Sequence, residues 1–172
     1  MHLYISSDIW KTTKTITHKI MSQENQHIET FKATAQGNGW TTITQITHTE
    51  WVLQTDEPVE DGGSNTGANP MQYFTASLTG CQNEQAQVVA EELGITINKI
   101  DIEVEIDMDL SSFMGITQTS ENSYKEVRLK AKVHGELTQE QVRTLGNKVD
   151  HRCPILGLLR SSGCAINSNW SI

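Results

Sequence analysis

One stretch of the chain joins a strong helix start to a single thiol. Asn69 can cap a helix, and Pro70 suits the first turn because its missing N–H would have no partner there. Side chains then recur at offsets of four and three residues, which places them on one face of an α-helix. Gly94 is the next stop signal, so we predict a Cys-bearing helix over residues 70–93. Its inward face holds Phe74, Leu78, Cys81, Gln85 and Val88.

Two strands follow this predicted helix. Residues 100–110 alternate between apolar side chains and carboxylates, which is the period of a β-strand. Residues 124–134 alternate between apolar and mostly basic side chains in the same way. Because an acidic face complements a basic one, we predict that the two strands pair as antiparallel neighbours. The alternative for the carboxylate row is a site for a metal or a cationic ligand.

Before the helix, the sequence predicts a small sheet and a loop. Residues 28–55 are rich in Thr, Ile and Trp and contain the hairpin signal Asn38-Gly39, so we predict a three-stranded antiparallel meander. Residues 1–27 have only scattered apolar side chains, and we interpret them as a mobile N-terminal extension. Residues 56–67 are acidic and glycine-rich, which indicates a solvated, flexible connector. A cation-binding loop is the alternative, although the spacing fits no calcium motif.

After the helix, we predict a β-β-α-β part over residues 98–172, which would complete a single domain over residues 28–172. Thr138 and Gln141 have the spacing of a capping box and mark the start of the second helix. Gly163 precedes a last short strand. The buried side of the second helix holds Val142, Leu145 and Val149.

Charge and composition exclude several classes of partner. The formal charge is −8, from 13 Lys plus Arg against 21 Asp plus Glu, and an acidic surface repels the phosphates of nucleic acids. No stretch approaches the roughly 18 apolar residues of a membrane span, and residues 1–20 lack the apolar core of a secretory signal. Three cysteines argue against a secreted disulfide framework because their number is odd. We therefore expect a cytoplasmic protein with no nucleic-acid or membrane partner.

The cysteines are the best candidates for chemistry. Pro154 suits the first turn of a short helix, which would leave Cys153 at its cap, where backbone N–H groups favour a thiolate. His151 and Arg152 add cationic neighbours that would lower the pKa of this thiol. A buried, unreactive cysteine is the alternative for Cys153 and for Cys81. A metal site from Cys81, Cys153 and His151 lacks the usual ligand spacings, so we expect no metal.

In its order of motifs, the sequence resembles the OsmC/Ohr family, named for osmotically inducible protein C and organic hydroperoxide resistance protein. The resemblance covers about residues 28–170 and includes the two strands and the second helix. It also includes three short motifs, which are specific through their order and spacing together: Asn69-Pro70, Gly80-Cys81 and His151-Arg152-Cys153-Pro154-Ile155. The resemblance implies an α+β fold with antiparallel sheets around two central helices. It also implies an intertwined homodimer, active sites near the subunit interface, and no metal or bound cofactor.

The same resemblance implies cysteine-based peroxidase chemistry. Cys81 would be the reactive thiol that attacks an organic hydroperoxide and becomes a sulfenic acid. Cys153 would be the resolving thiol that condenses with it to a disulfide, which an external dithiol then reduces. In the family this reductant is often a lipoyl-type dithiol. Cys164 matches no catalytic position of the family, and we interpret it as a structural strand residue.

Two departures from the family pattern favour a second hypothesis. The family peroxidases place an arginine in the early strand region, whereas the first arginine of this chain is Arg128. They also place a glutamate directly after the Asn-Pro pair, where this chain has Met71 followed by Gln72. A site without these charges loses ion-pair support for a thiolate. The alternative function is therefore a non-enzymatic dimer that binds or senses a small apolar or electrophilic ligand.

Overall fold

The computed structural model describes residues 27–118 and 123–172. Of the predicted N-terminal extension, only residue 27 is among the described residues. The mobility of the extension and the single-domain boundary at residue 28 stay predictions. The described chain forms two three-stranded sheets and three α-helices. These elements are β1 (Ala33–Asn38), β2 (Thr41–Ile46), β3 (Val52–Thr55), α1 (Pro70–Leu93), β4 (Lys99–Met108), β5 (Tyr124–His134), α2 (Gln139–Arg152), α3 (Pro154–Ser161) and β6 (Ala165–Ser171).

The first sheet is the antiparallel meander predicted from residues 28–55. Its strand order is β1-β2-β3, and Gly39 takes a φ of 63° in the β1–β2 turn, a conformation that favours glycine. The first strand begins at Ala33 and not near Ile28. Ala33 pairs with Ile46, the last residue of β2, so residues before it have no strand opposite them.

The second sheet contains the charged ladder that the alternating segments predict. Glu103 lies opposite Lys130 in the antiparallel β4–β5 pair, and their charged groups are 2.7 Å apart. Arg128 donates to Glu105 over 2.8 Å in the same way. The carboxylate row is therefore neutralised by its neighbouring strand. Leu110, which we placed at the end of β4, lies beyond it in an exposed turn.

The third strand of this sheet differs from the expected antiparallel arrangement, although the α+β class is confirmed. β6 runs parallel to β5 at the opposite side from β4, so the sheet is mixed. A parallel neighbour needs a crossover connection that returns the chain to the starting end of the sheet. Helices α2 and α3 supply this crossover between β5 and β6.

The buried face of α1 differs from the predicted face by about one residue. Val88, predicted to face inward, is 44% exposed, and Gln85 is only partly buried. The face follows steps of three or four residues from Leu78, and it packs on α2 and β4. Its buried residues are Leu78, Gln82, Ala86, Val89 and Ala90. Cys81 lies at the edge of this face and is half-buried.

The connector between β3 and α1 is mostly exposed, as we predicted, but it is organised around one buried carboxylate. Asp56 is 1% exposed and accepts hydrogen bonds from the backbone N–H groups of Ser64 (3.2 Å) and Thr66 (3.1 Å). The Thr66 hydroxyl donates to the same carboxyl oxygen over 2.7 Å. Tyr73 then donates to the Gln54 carbonyl over 3.0 Å, which ties the first turn of α1 to β3. The loop thus fixes where the Cys-bearing helix begins.

Candidate active site

The structure brings together the two cysteines that the sequence singled out. Cys81 on α1 is half-buried, and Cys153 at the α2–α3 junction is 1% exposed. A hydrogen bond joins the two thiols, and the two Sγ atoms are 3.0 Å apart. Both residues are free thiols. Because only Cys81 reaches the surface of the described chain, an external reagent would meet Cys81 first and Cys153 second.

Cys153 is held by the ends of two helices at once. Its backbone N–H donates to the Val149 carbonyl (2.9 Å), which closes the last turn of α2. Its sulfur accepts from the Leu156 N–H (3.5 Å), which caps the first turn of α3. Pro154 forces this break because the residue before a proline avoids the helical region, and Cys153 accordingly has an extended ψ of 115°. The predicted short helix after Cys153 is confirmed.

The surroundings of Cys81 favour the protonated thiol. Burial and the neighbouring Cys153 thiol raise the pKa of Cys81 to about 12. The negative charge of Glu84 acts in the same direction, while the backbone N–H of Ile155 opposes the rise. Burial also raises the pKa of Cys164, whose thiol donates to the Ala165 carbonyl over 3.6 Å. That contact agrees with our interpretation of Cys164 as a structural residue.

The arginines that could replace the family's early arginine are bound to other groups. Arg152 forms an ion pair with Glu92 at 2.7 Å, which holds the pKa of that carboxyl below its usual value. Arg160 donates to the Asp150 carbonyl over 3.1 Å, and Arg128 lies within the charged ladder. The cationic support that we predicted from Arg152 is therefore directed away from the thiols.

The position of the family glutamate holds Met71, and the polar side chain that follows it, Gln72, is engaged at the start of α1. Asn69 accepts from the Gln72 N–H (2.9 Å), and Gln72 accepts from the Asn69 N–H (2.8 Å). This capping box uses the Gln72 side chain to begin α1. Met71, which directly follows the Asn-Pro pair, carries no charge.

Sequence reasoning missed two residues next to the thiols. Gln82 is fully buried, and neither its Oε1 nor its Nε2 atom has a hydrogen-bond partner among the described residues. The only sequence signal was the position of this residue four places after Leu78, and the inward face that we predicted did not include it. Asp150, three residues before Cys153, is partly buried and bonds across to β6. No pattern within α2 indicates that contact.

The described residues contain no cluster of three or more His, Cys, Asp or Glu side chains that could hold a metal ion. None of the helices in this part of the chain is both long and apolar enough to cross a membrane.

Comparison with known families decides where the chain belongs. A family model described as OsmC-like protein matches residues 62–169, which includes both thiols and all of α1, α2 and α3. The chain belongs to the OsmC-like family. No curated protein sequence matches it significantly.

Solved structures of this family share the fold at low sequence identity. The organic hydroperoxide resistance protein OsmC of Legionella pneumophila is 24% identical with a TM-score of 0.67, covering 86% of this chain and 100% of that one. An OsmC-like protein of Mycoplasma pneumoniae is 19% identical with a TM-score of 0.71, covering 84% and 98%. The OhrB protein of Bacillus subtilis, also named for organic hydroperoxide resistance, is 24% identical with a TM-score of 0.58, covering 82% and 97%.

Proposed function

We propose that this OsmC-like protein is a cysteine-based redox protein that reduces organic hydroperoxides through Cys81 and Cys153. The observation that carries the proposal is the 3.0 Å contact between an accessible and a buried thiol. Such a pair suits a reaction in which an outside reagent oxidises the first sulfur and the second sulfur removes the product. The family membership of the chain and the names of its structural relatives point to the same chemistry.

The proposed reaction has two steps. The Cys81 thiolate attacks the outer peroxide oxygen, the O–O bond breaks, and the alkoxide takes up a proton and leaves as an alcohol. Cys81 is then a sulfenic acid. The Cys153 sulfur attacks the Cys81 sulfur, forms the disulfide and releases the sulfenic oxygen as water. An external dithiol, of which a lipoyl-type dithiol is our candidate, reduces the disulfide and becomes oxidised itself. The chemistry needs no metal and no bound cofactor.

We also propose that the protein acts as a homodimer in the cytoplasm. The described part of the first sheet and its flanks expose several large apolar side chains, a feature that marks interaction surfaces when such side chains are contiguous. They include Ile28, Phe31, Trp40, Ile43, Trp51 and Val52. A second copy of the chain would cover them. A reducing compartment would keep the three cysteines available as thiols.

The test is hydroperoxide consumption with a dithiol reductant. We expect Cys81→Ser to abolish turnover, and Cys153→Ser to leave a Cys81 sulfenic acid that an alkylating probe for sulfenic acids can trap. Cys164→Ser is the matched control and should turn over at the wild-type rate. Because the pKa of Cys81 is raised, the thiolate fraction and therefore the rate should increase as the pH rises above neutral. Unchanged activity in Cys81→Ser would reject the proposal.

A second candidate is a non-enzymatic dimer that binds or senses a small apolar or electrophilic ligand. It is favoured by the raised pKa of Cys81 and by the commitment of Arg152 and Arg160 to other partners. A ligand that raises the melting temperature without being consumed would support this candidate. Turnover that depends on Cys81 would exclude it.

A further inference from the structure

The end of α2 that carries Cys153 is tied to β6 by one carboxyl group. Asp150 accepts a hydrogen bond from the Trp170 Nε1–H, with 3.4 Å between the heavy atoms, and another from the Ser168 hydroxyl. Arg160 of α3 donates to the Asp150 backbone carbonyl over 3.1 Å. Three elements, α2, α3 and β6, therefore meet at this residue.

Trp170 contacts α2 at the start, the middle and the end of the helix. Its indole ring fills the space beside Gly146, where an added Cβ would overlap the ring. Gln139, at the start of α2, donates to the Trp170 carbonyl over 3.2 Å. Trp170 itself lies in β6 opposite Ala131 of β5, so it is anchored in the second sheet. The Asp150 contact is the last of these attachments before the helix ends.

The Asp150 carboxyl is kept in place although its burial is unfavourable. Burial raises the pKa of this group, while the bonds from Ser168 and Trp170 and the charge of Arg160 act against the rise. A partly buried carboxyl with dedicated donors restricts the geometry of its helix more closely than an apolar side chain would. Three residues further on, Cys153 leaves the same helix and meets Cys81 of α1 at 3.0 Å.

We propose that Asp150 is a positioning residue for the thiol pair: its bonds to Trp170 and Ser168 hold Cys153 against Cys81, so that the disulfide closes without rearrangement. For the hydroperoxide reaction, the inference rests on the proposed function. The closure can also be measured without a peroxide, because oxidised glutathione and the dithiol exchange to give the protein disulfide and two molecules of reduced glutathione. The equilibrium constant of that exchange gives the effective concentration of one thiol at the other.

The experiment compares this effective concentration among variants of full-length protein that carry Cys164→Ser. Asp150→Ala should lower it by about tenfold or more, because misplacing a reacting group by about 1 Å has effects of this size. Asp150→Asn keeps an oxygen acceptor for Trp170 and Ser168 and should stay close to the parent value. Trp170→Phe keeps a smaller aromatic ring and removes the Nε1–H donor, so its effective concentration should fall between those of Asp150→Ala and Asp150→Asn. Asn147→Ala, exposed on the same helix, is the matched control and should have no effect.

The melting temperature of each variant shows whether that variant folds. If Asp150→Ala does not fold, Trp170→Phe takes its place in the test. An unchanged effective concentration in a folded Asp150→Ala or Trp170→Phe protein would overturn the inference. An equal loss in Asp150→Asn and Asp150→Ala would overturn it as well, because the hydrogen bonds would then not matter. If the variants behave as expected but no hydroperoxide is consumed, the positioning role stands and the proposed peroxidase function fails.

Discussion

Gly146 lies in the middle of α2, where glycine ordinarily makes a helix less stable than alanine by about 1 kcal/mol. In this protein the Trp170 indole occupies the space that a Cβ would take. Overpacking a rigid ring costs about 1–3 kcal/mol, which exceeds the gain in helix propensity. We therefore expect Gly146→Ala to lower the free energy of unfolding, measured by chemical denaturation.

Gly157 in α3 provides the opposite case on the same chain. No atom from beyond its own neighbourhood lies within 4 Å of the place where its Cβ would be. Gly157→Ala should therefore raise stability, by up to about 1 kcal/mol, because only the helix propensity changes. A stabilising Gly146→Ala would contradict the packing of Trp170 against α2.

Single residues at the site differ in how far the sequence could predict them. Cys81 and Cys153 were identifiable because each stands beside a local helix signal, namely an apolar stripe and a proline. The two sulfurs come into contact because α1 packs against the α2–α3 junction, and no local sequence pattern indicates this packing. Gln82 and Asp150 escaped prediction for the same reason, since burial and cross-element bonds give them their importance.

Helices and strands were predictable where the interacting residues are close in sequence or lie on adjacent strands. The capping boxes at Asn69 and Thr138, and the charged β4–β5 ladder, use partners that lie three residues apart or on adjacent strands. The parallel direction of β6 could not be predicted, because it depends on where two helices carry the chain. The organisation of the connector before α1 was also missed, since its buried residue, Asp56, bonds to residues eight and ten positions away.

That connector gives a prediction about acid stability. Hydrogen bonds from the Thr66 hydroxyl and from backbone N–H groups lower the pKa of Asp56 below 3.8. The stability that this carboxylate contributes is therefore complete above 3.8 and is lost as the pH falls through its lower, folded-state pKa. Asp56→Asn turns an amide N–H group towards these donors. The melting temperature of the variant should therefore be lower than that of the wild type at neutral pH, and it should decrease less than that of the wild type in acid. Asp61→Asn, exposed on the same loop, is the control, and an unaltered pH profile in Asp56→Asn would contradict the assignment.

At the scale of the whole molecule, the two sheets have different surroundings. The second sheet packs one face on the helices through its four fully buried β5 residues, Val127, Leu129, Ala131 and Val133. The first sheet has no fully buried residue in any of its strands. Its apolar side chains are therefore free to pack against a second molecule, and Phe31 and Trp51 are 85% and 74% exposed. This difference supports the proposed homodimer more directly than sequence composition does.

The proposed homodimer predicts that one charge beside the first sheet separates the chains. Trp51→Glu would bury a carboxylate in the proposed interface without a partner, so we expect light scattering to give the mass of one chain where the wild type gives two. The wild-type melting temperature should rise with protein concentration, and that of the variant should not, because only the dimer gains stability by mass action. Asn147→Glu places the same charge on the exposed face of α2 and should leave the dimer intact. A wild-type protein that stays monomeric at every concentration would contradict the proposed homodimer.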